Sequence, residues 1–185
     1  MNSFALFTDV SLNPQRKIGI GGYLLVPVAF LEIEAQDIEQ GEVSARLKIK
    51  RFAETSSTKL EVQTVLWALE DSREELTGSA PGSLRIYTDS QCVAGLLGRR
   101  AGLINRDFLS RRSGRPLTNA LLYREFYAVF DQLGFQLIKV PGHSRASSHD
   151  TVQRIFSYVD REVRKALTLW LDSQPLPHAQ HPPSV

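Results

Sequence analysis

Phe4-Ala5-Leu6-Phe7-Thr8-Asp9-Val10-Ser11 is a short apolar run that ends in polar residues. That is the pattern of a central strand buried on both faces. Asn13-Pro14 turns the chain, and Gly19-Ile20-Gly21-Gly22-Tyr23-Leu24-Leu25-Val26 reads as a second strand stopped by Pro27. Residues 29–41 are acidic and without a clear period, so a loop or irregular insertion is expected there. Ala45-Arg46-Leu47-Lys48-Ile49-Lys50-Arg51-Phe52 alternates basic and apolar residues, the period of a half-exposed third strand. Three strands joined without helices predict an antiparallel meander.

The period then changes. From Ser57 the residues Leu60, Val65, Leu66, Leu69 and Leu76 follow helical spacing, with Ser56 or Ser57 as a start cap and Gly78 as a stop. Leu84-Arg85-Ile86-Tyr87-Thr88-Asp89 is a fourth strand, and Ser90 can cap a brief helix through Leu97. Residues 99–115 are basic and broken by glycines. Leu117 to Leu133 is helical by spacing, and Phe135 to Val140 is a fifth strand. Thr151 to Leu171 is a long amphipathic helix with Val152, Ile155, Phe156, Val159, Val163, Ala166, Leu167 and Trp170 on one stripe. A meander followed by alternating strands and helices predicts an α/β fold: a five-stranded mixed sheet, first three strands antiparallel, helices on both faces. The folded domain is expected to span 1–173, and the Pro/His-rich residues 174–185 to form a disordered tail.

Composition narrows the function classes. At 185 residues, 42% of them hydrophobic, the chain can bury an adequate core without metal or disulfide support. The single cysteine, Cys92, excludes an internal disulfide framework and Cys-based zinc clusters, and fits a reducing cytoplasm. The start Met1-Asn2-Ser3-Phe4 has no signal-peptide pattern, and no apolar run approaches ~20 residues, so neither secretion nor a membrane span is expected. A net charge of +2 says little by itself, so the placement of charge matters more than its sum.

Asp9 and Asp89 each end an apolar strand, in Phe-Thr-Asp-Val-Ser and Tyr-Thr-Asp-Ser-Gln. In open α/β sheets, ligands bind beyond the carboxyl ends of the strands. One such aspartate is explained by a turn or helix cap. Two on neighbouring strands put like charges together, which favours a cation between them. Glu61 shares a helix stripe with Val65 and Leu69, and a carboxylate turned to the buried side normally needs a partner or a metal. His143, in Val140-Pro141-Gly142-His143-Ser144, lies beyond the fifth strand, where an imidazole can move protons near neutral pH. Asp160 has a plain explanation as the i, i+4 partner of Arg164.

Taken in order, Phe7-Thr8-Asp9, Lys59-Leu60-Glu61, Tyr87-Thr88-Asp89-Ser90-Gln91, Pro141-Gly142-His143 and Val159-Asp160-Arg161-Glu162-Val163-Arg164-Lys165-Ala166 resemble type-1 ribonuclease H. The resemblance runs from about Phe4 to Leu171. It implies cleavage of the RNA strand of RNA–DNA hybrids with two magnesium ions. Asp9, Glu61, Asp89 and Asp160 fall on the family's metal-site carboxylates, and His143 on its loop histidine. Such a donor set suits Mg²⁺, with Mn²⁺ possible in its place, rather than zinc. Two ions would activate a water and stabilise the leaving 3′ oxygen, giving a 5′-phosphate and a 3′-hydroxyl. Gln91, Ser57 and Thr58 are candidates for minor-groove contacts. Ser56 and the arginines Arg99, Arg100, Arg106, Arg111, Arg112 and Arg115 are candidates for phosphates. A cytoplasmic monomer with an RNA–DNA hybrid as its partner is expected.

The chain departs from the family in several places. Val10 stands where glycine is usual, and Ser57 and Thr58 stand where two asparagines are common. Asp160 follows His143 by 17 positions, longer than is usual, and the extra residues extend the final helix at its N-terminus. Asp150 therefore competes as fourth ligand. Ten residues of helix span about 15 Å, so the two cannot share one coordination position. Asp160 is preferred because its surroundings match the family, whereas Asp150 reads as a helix cap. Two rival readings remain. A 3′–5′ exonuclease of the same broad fold would carry Asp-x-Glu on the first strand, where this chain has Asp9-Val10-Ser11. A catalytically weak or inactive hybrid-binding module would not need all four carboxylates.

Overall fold

The structure is a computed structural model that describes residues 2–141 and 149–174. Strands β1 (Phe4–Asn13) and β2 (Ile18–Pro27) form a long antiparallel pair. β2 pairs antiparallel with β3 (Lys48–Phe52), while β4 (Leu84–Thr88) lies parallel to β1 and β5 (Gln136–Lys139) parallel to β4. The result is the expected five-stranded mixed sheet, in the order β3-β2-β1-β4-β5.

Strand alternation splits the core in two. Leu6, Tyr23 and Ile86 face α2 (Ser57–Asp71), α5 (Leu96–Asn105) and α6 (Ala120–Leu133). Ala5, Phe7, Leu24 and Tyr87 face α7 (Thr151–Ser173). Phe7 and Tyr87 stack across the β1–β4 ladder at 4.8 Å between ring centroids. Each large side chain fully buried in these layers contributes roughly 1.5–3 kcal/mol.

The glycines of β2 set how closely the helices approach. A Cβ at Gly21 would stand 2.2 Å from Thr64 Oγ1 of α2, and one at Gly22 would stand 2.5 Å from Val163 Cγ2 of α7. Both helices therefore rest on the strand backbone itself, one on each face.

Several boundaries differ from those the sequence suggests. The acidic stretch forms two short 3₁₀ turns, Val28–Glu32 and Ala35–Asp37, followed by helix α1 (Gln40–Arg46). β3 therefore starts at Lys48, not Ala45. Val43 is fully buried against α7, and that single anchor overrides the alternation that read as strand. The helix after β3 breaks at Ser72 and continues as the short α3 (Arg73–Leu76). The brief helix capped by Ser90 is α4 (Gln91–Ala94). The glycine-broken stretch is largely helical, since α5 includes Gly98 and Gly102 and is secured by buried Leu96 and Leu103. Among the described residues, no helix is long and apolar enough to cross a membrane.

Candidate active site

The parallel ladder between β1 and β4 ends at Phe7 and Tyr87. Asp9 and Asp89 each lie two residues further on, so alternation returns both to the α7 side of the sheet. Neither aspartate is the N-cap of a helix. Asp9 is inside β1, opposite Gly22. At Asp89 the turn is secured by its neighbours: the Ser90 amide donates to Thr88 Oγ1 at 3.0 Å, and the Val93 amide donates to Ser90 Oγ at 3.2 Å. The side chain of Asp89 is exposed.

Asp9 is only 4% exposed, and its Oδ2 is buried with no hydrogen-bond partner among the described residues. Burial raises its pKa to about 9, and the charges of Asp89, Asp160 and Glu61 add to the rise, while the Val10 amide opposes it. That contribution comes from the backbone of Val10 and not from its side chain. Glu61, half-buried on the first turn and a half of α2, is raised to about 8 by burial and then by Asp89. Asp160, on α7, is half-exposed and pairs with Arg164, whose Nε lies 2.9 Å from Asp160 Oδ1. All four carboxylates thus meet at one end of the sheet, and Asp9 stands within the field of the other three.

Asp150 has a different job. The Gln153 amide donates to Asp150 Oδ1 at 2.8 Å, and the Asp150 amide donates to Gln153 Oε1 at 3.0 Å, a complete capping box.

Among the described residues, no three His, Cys, Asp or Glu side chains are already gathered at ligating distance. The donor chemistry nevertheless fits a hard divalent cation. The oxygens are carboxylate, one is buried and unpartnered, and the like charges that push Asp9 and Glu61 up would be offset by a cation among them.

Other sequence candidates separate into groups. Ser56 stands at the start of α2 but makes no side-chain capping bond; Ser56 and Ser57 are exposed and Thr58 is half-buried, one turn before Glu61. Gln91 is exposed at the start of α4, two residues after Asp89. The arginines do not form one cluster. Arg99 donates to the Cys92 carbonyl at 2.8 Å, and Arg100 forms a two-pronged pair with Asp131 at 2.6 Å. Arg106 is half-buried, and Phe108 is 3% exposed beneath Arg124. Arg111, Arg112 and Arg115 are exposed on a tight loop organised by Ser110, whose Oγ accepts the Arg112 and Ser113 amides at 3.3 Å. His143 and residues 175–185 of the expected tail lie outside the described residues.

A cleft of about 380 Å³ opens beside the carboxylates, between Asp89 and the N-terminal half of α7, where His149, Gln153, Ser157, Asp160, Arg161 and Arg164 line it. The sequence reading passed over its polar wall. The signal was the i, i+4, i+8 spacing of Gln153, Ser157 and Arg161, a second stripe beside the apolar one.

Comparison with known proteins agrees with the fold. No curated protein matches the chain. Among solved structures, it is similar to a foamy viral protease–reverse transcriptase in complex with dsDNA, with 13% identity and a TM-score of 0.56 over 89% of this chain and 94% of that one. At that identity the likeness shows the fold alone. The family model for RNase H matches residues 1–166, nearly the whole described fold, and the chain belongs to the RNase H family.

Proposed function

We propose that this chain is an endoribonuclease that hydrolyses the RNA strand of RNA–DNA hybrids, leaving a 5′-phosphate and a 3′-hydroxyl. The observation that carries the reading is the convergence of Asp9, Glu61, Asp89 and Asp160 at the end of the β1–β4 ladder in a member of this family. These four would hold divalent cations, Mg²⁺ in the first instance. When bound, two such ions supply an activated water and charge stabilisation at the leaving 3′ oxygen. The chain's own residues do the rest. Asp9 is fixed by strand and helix on both faces, so it holds its position without a hydrogen-bonded neighbour at Oδ2. Arg164 keeps Asp160 aimed from α7. Ser57, Thr58 and Gln91 flank the carboxylates with groups able to read 2′-hydroxyls in a wide minor groove. Ser56 and the loop carrying Arg111, Arg112 and Arg115 meet phosphates. His143 assists proton transfer. Function in the cytoplasm as a monomer completes the proposal.

The test is cleavage of labelled RNA–DNA hybrid, single-stranded RNA, duplex RNA and duplex DNA, each with Mg²⁺ or with chelator. Cutting confined to the RNA strand of the hybrid and lost in chelator is the expected result. Equal cutting of single-stranded RNA, or full activity in chelator, would sink the reading. Tight hybrid binding without cleavage would make the chain a binding module.

A further inference from the structure

The cleft beside the carboxylates poses an electrostatic problem. A nucleic-acid strand is a polyanion, yet Asp89 lines one side of the cleft and Asp160 the α7 side. Cations beside Asp160 on α7 decide whether the strand can enter. Arg164 is already committed, because its Nε is held by Asp160 Oδ1 at 2.9 Å. Arg161 is not. Among the described residues it forms no ion pair; its NH1 donates to the neutral amide oxygen of Gln40 at 2.7 Å, and its guanidinium lies 5.6 Å from the ring centroid of Tyr158.

Gln40 begins α1, in the insertion between β2 and β3, and its orientation is fixed by a second bond. Its Nε2 donates to Glu162 Oε1 at 2.8 Å, which leaves only its oxygen for Arg161. A carboxylate in place of Gln40 would cancel the arginine's charge. The amide holds the group and leaves the charge intact. A guanidinium has five N–H donors in a planar fork, so one bond to Gln40 leaves the others for a phosphate. Nor does α1 depend on this bond for its place, because Val43 is fully buried against α7.

We infer that Arg161 binds a backbone phosphate of the cleaved strand next to the scissile one, and that Gln40 is the positioning residue that holds it there. The inference rests on the nuclease reading of the site and adds to it a contact that sits beside the carboxylates.

The test is hybrid binding by fluorescence anisotropy in chelator, over a range of salt concentrations, with steady-state cleavage and melting temperature measured on the same proteins. Arg161→Gln should weaken binding about three- to tenfold and reduce the slope of log affinity against log salt by about 1, as loss of one phosphate contact does. KM should rise by more than kcat falls. Gln40→Glu keeps an acceptor for Arg161 but cancels its charge, so it should weaken binding in the same direction. It also gives up the donor to Glu162 and sets two carboxylates together, so a small drop in melting temperature is expected with it. An Arg161→Gln protein with unchanged affinity and salt slope overturns the inference. So does a Gln40→Glu protein that binds normally, which would reduce the Gln40–Arg161 bond to a brace between helices. A wild-type chain that neither binds nor cuts the hybrid with Mg²⁺ present overturns the nuclease reading itself, and the phosphate contact with it. A wild-type chain that binds and cuts beside an unaffected Arg161→Gln overturns the contact alone.

Discussion

The four carboxylates fall into an inner and an outer pair. Asp9 and Glu61 lie against the sheet and the first turns of α2, and they are pushed up to about 9 and about 8. Asp89 and Asp160 stand further out, one exposed to water and the other half-exposed beside Arg164. Depth, not residue type, separates them. The outer pair can spread its charge into solvent or onto an arginine. The inner pair can only take up protons or a cation. Binding of a divalent ion should therefore change the inner pair most.

The largest effect tests that division directly. Asp9→Asn and Asp160→Asn are both expected to bring hybrid cleavage down to background. Their metal-free stabilities should differ. Asparagine at position 9 replaces a group that is mostly protonated at pH 7, so melting should stay level or rise. At position 160 the change gives up the Arg164 pair and should cost at most about 1 kcal/mol. Near-native turnover by a folded Asp9→Asn would strip the inner pair of its assigned role. Background turnover by Asp150→Asn, beside an active Asp160→Asn, would move the fourth ligand to Asp150.

Gly22→Ala comes next. The new Cβ would stand 2.5 Å from Val163 Cγ2, so α7 must move off the sheet and carry Asp160 away from Asp9. Overpacking of this kind costs about 1–3 kcal/mol. For a chain this long, that lowers the melting temperature by about 2–4 °C per kcal/mol. Calorimetry showing an unchanged melting temperature would mean that α7 rests less closely on β2 than described.

A pH series sharpens the same contrast. Asp9 moves from 3.8 in an unstructured chain to about 9 in the fold, so between these values the folded state binds more protons. Stability without metal is then greatest at the acid end of this window and falls as pH rises towards about 9. Glu61, raised from 4.5 to about 8, acts in the same sense. Melting curves in chelator at pH 5, 7 and 9 should show the decline, and Asp9→Asn should flatten it. Mg²⁺ should stabilise more at the alkaline end, where it no longer competes with protons. A melting temperature that climbs across the window would contradict the burial of Asp9.

Asp150→Asn should do least. Asparagine caps a helix about as well as aspartate, so both melting and cleavage should stay close to wild type.

Much of this was legible in the residues. The apolar runs of β1 and β4 and the stripe of α7 follow from periodicity, and Asp9 and Asp89 stood out because each closes such a run. Glu61 was visible through its spacing to Val65 and Leu69. What escaped depended on partners distant in the chain. Helix α1 has one deep anchor, Val43, and its helical form is settled by packing on α7. In α5, Gly98 and Gly102 weaken the local signal, while Leu96 and Leu103 overrule it from the core. The arginines read as one basic cluster because Asp131, which neutralises Arg100, lies 31 positions away. Gln40 and Arg161 are 121 positions apart, and no local pattern links them.

The close seat of α7 on β2 has a consequence for how the molecule folds. Asp160 is carried by the last of the described elements, to an end of the sheet where Asp9 and Asp89 follow from the β1–β4 ladder and Glu61 from α2. Without α7, the sheet face around Gly22 loses its main cover and one of the repelling charges is missing. With it, apolar burial and charge repulsion arrive in the same step. The landscape is therefore locally frustrated where α7 closes on the sheet. Acid, or a divalent ion present during refolding, removes that frustration and should speed the docking of α7.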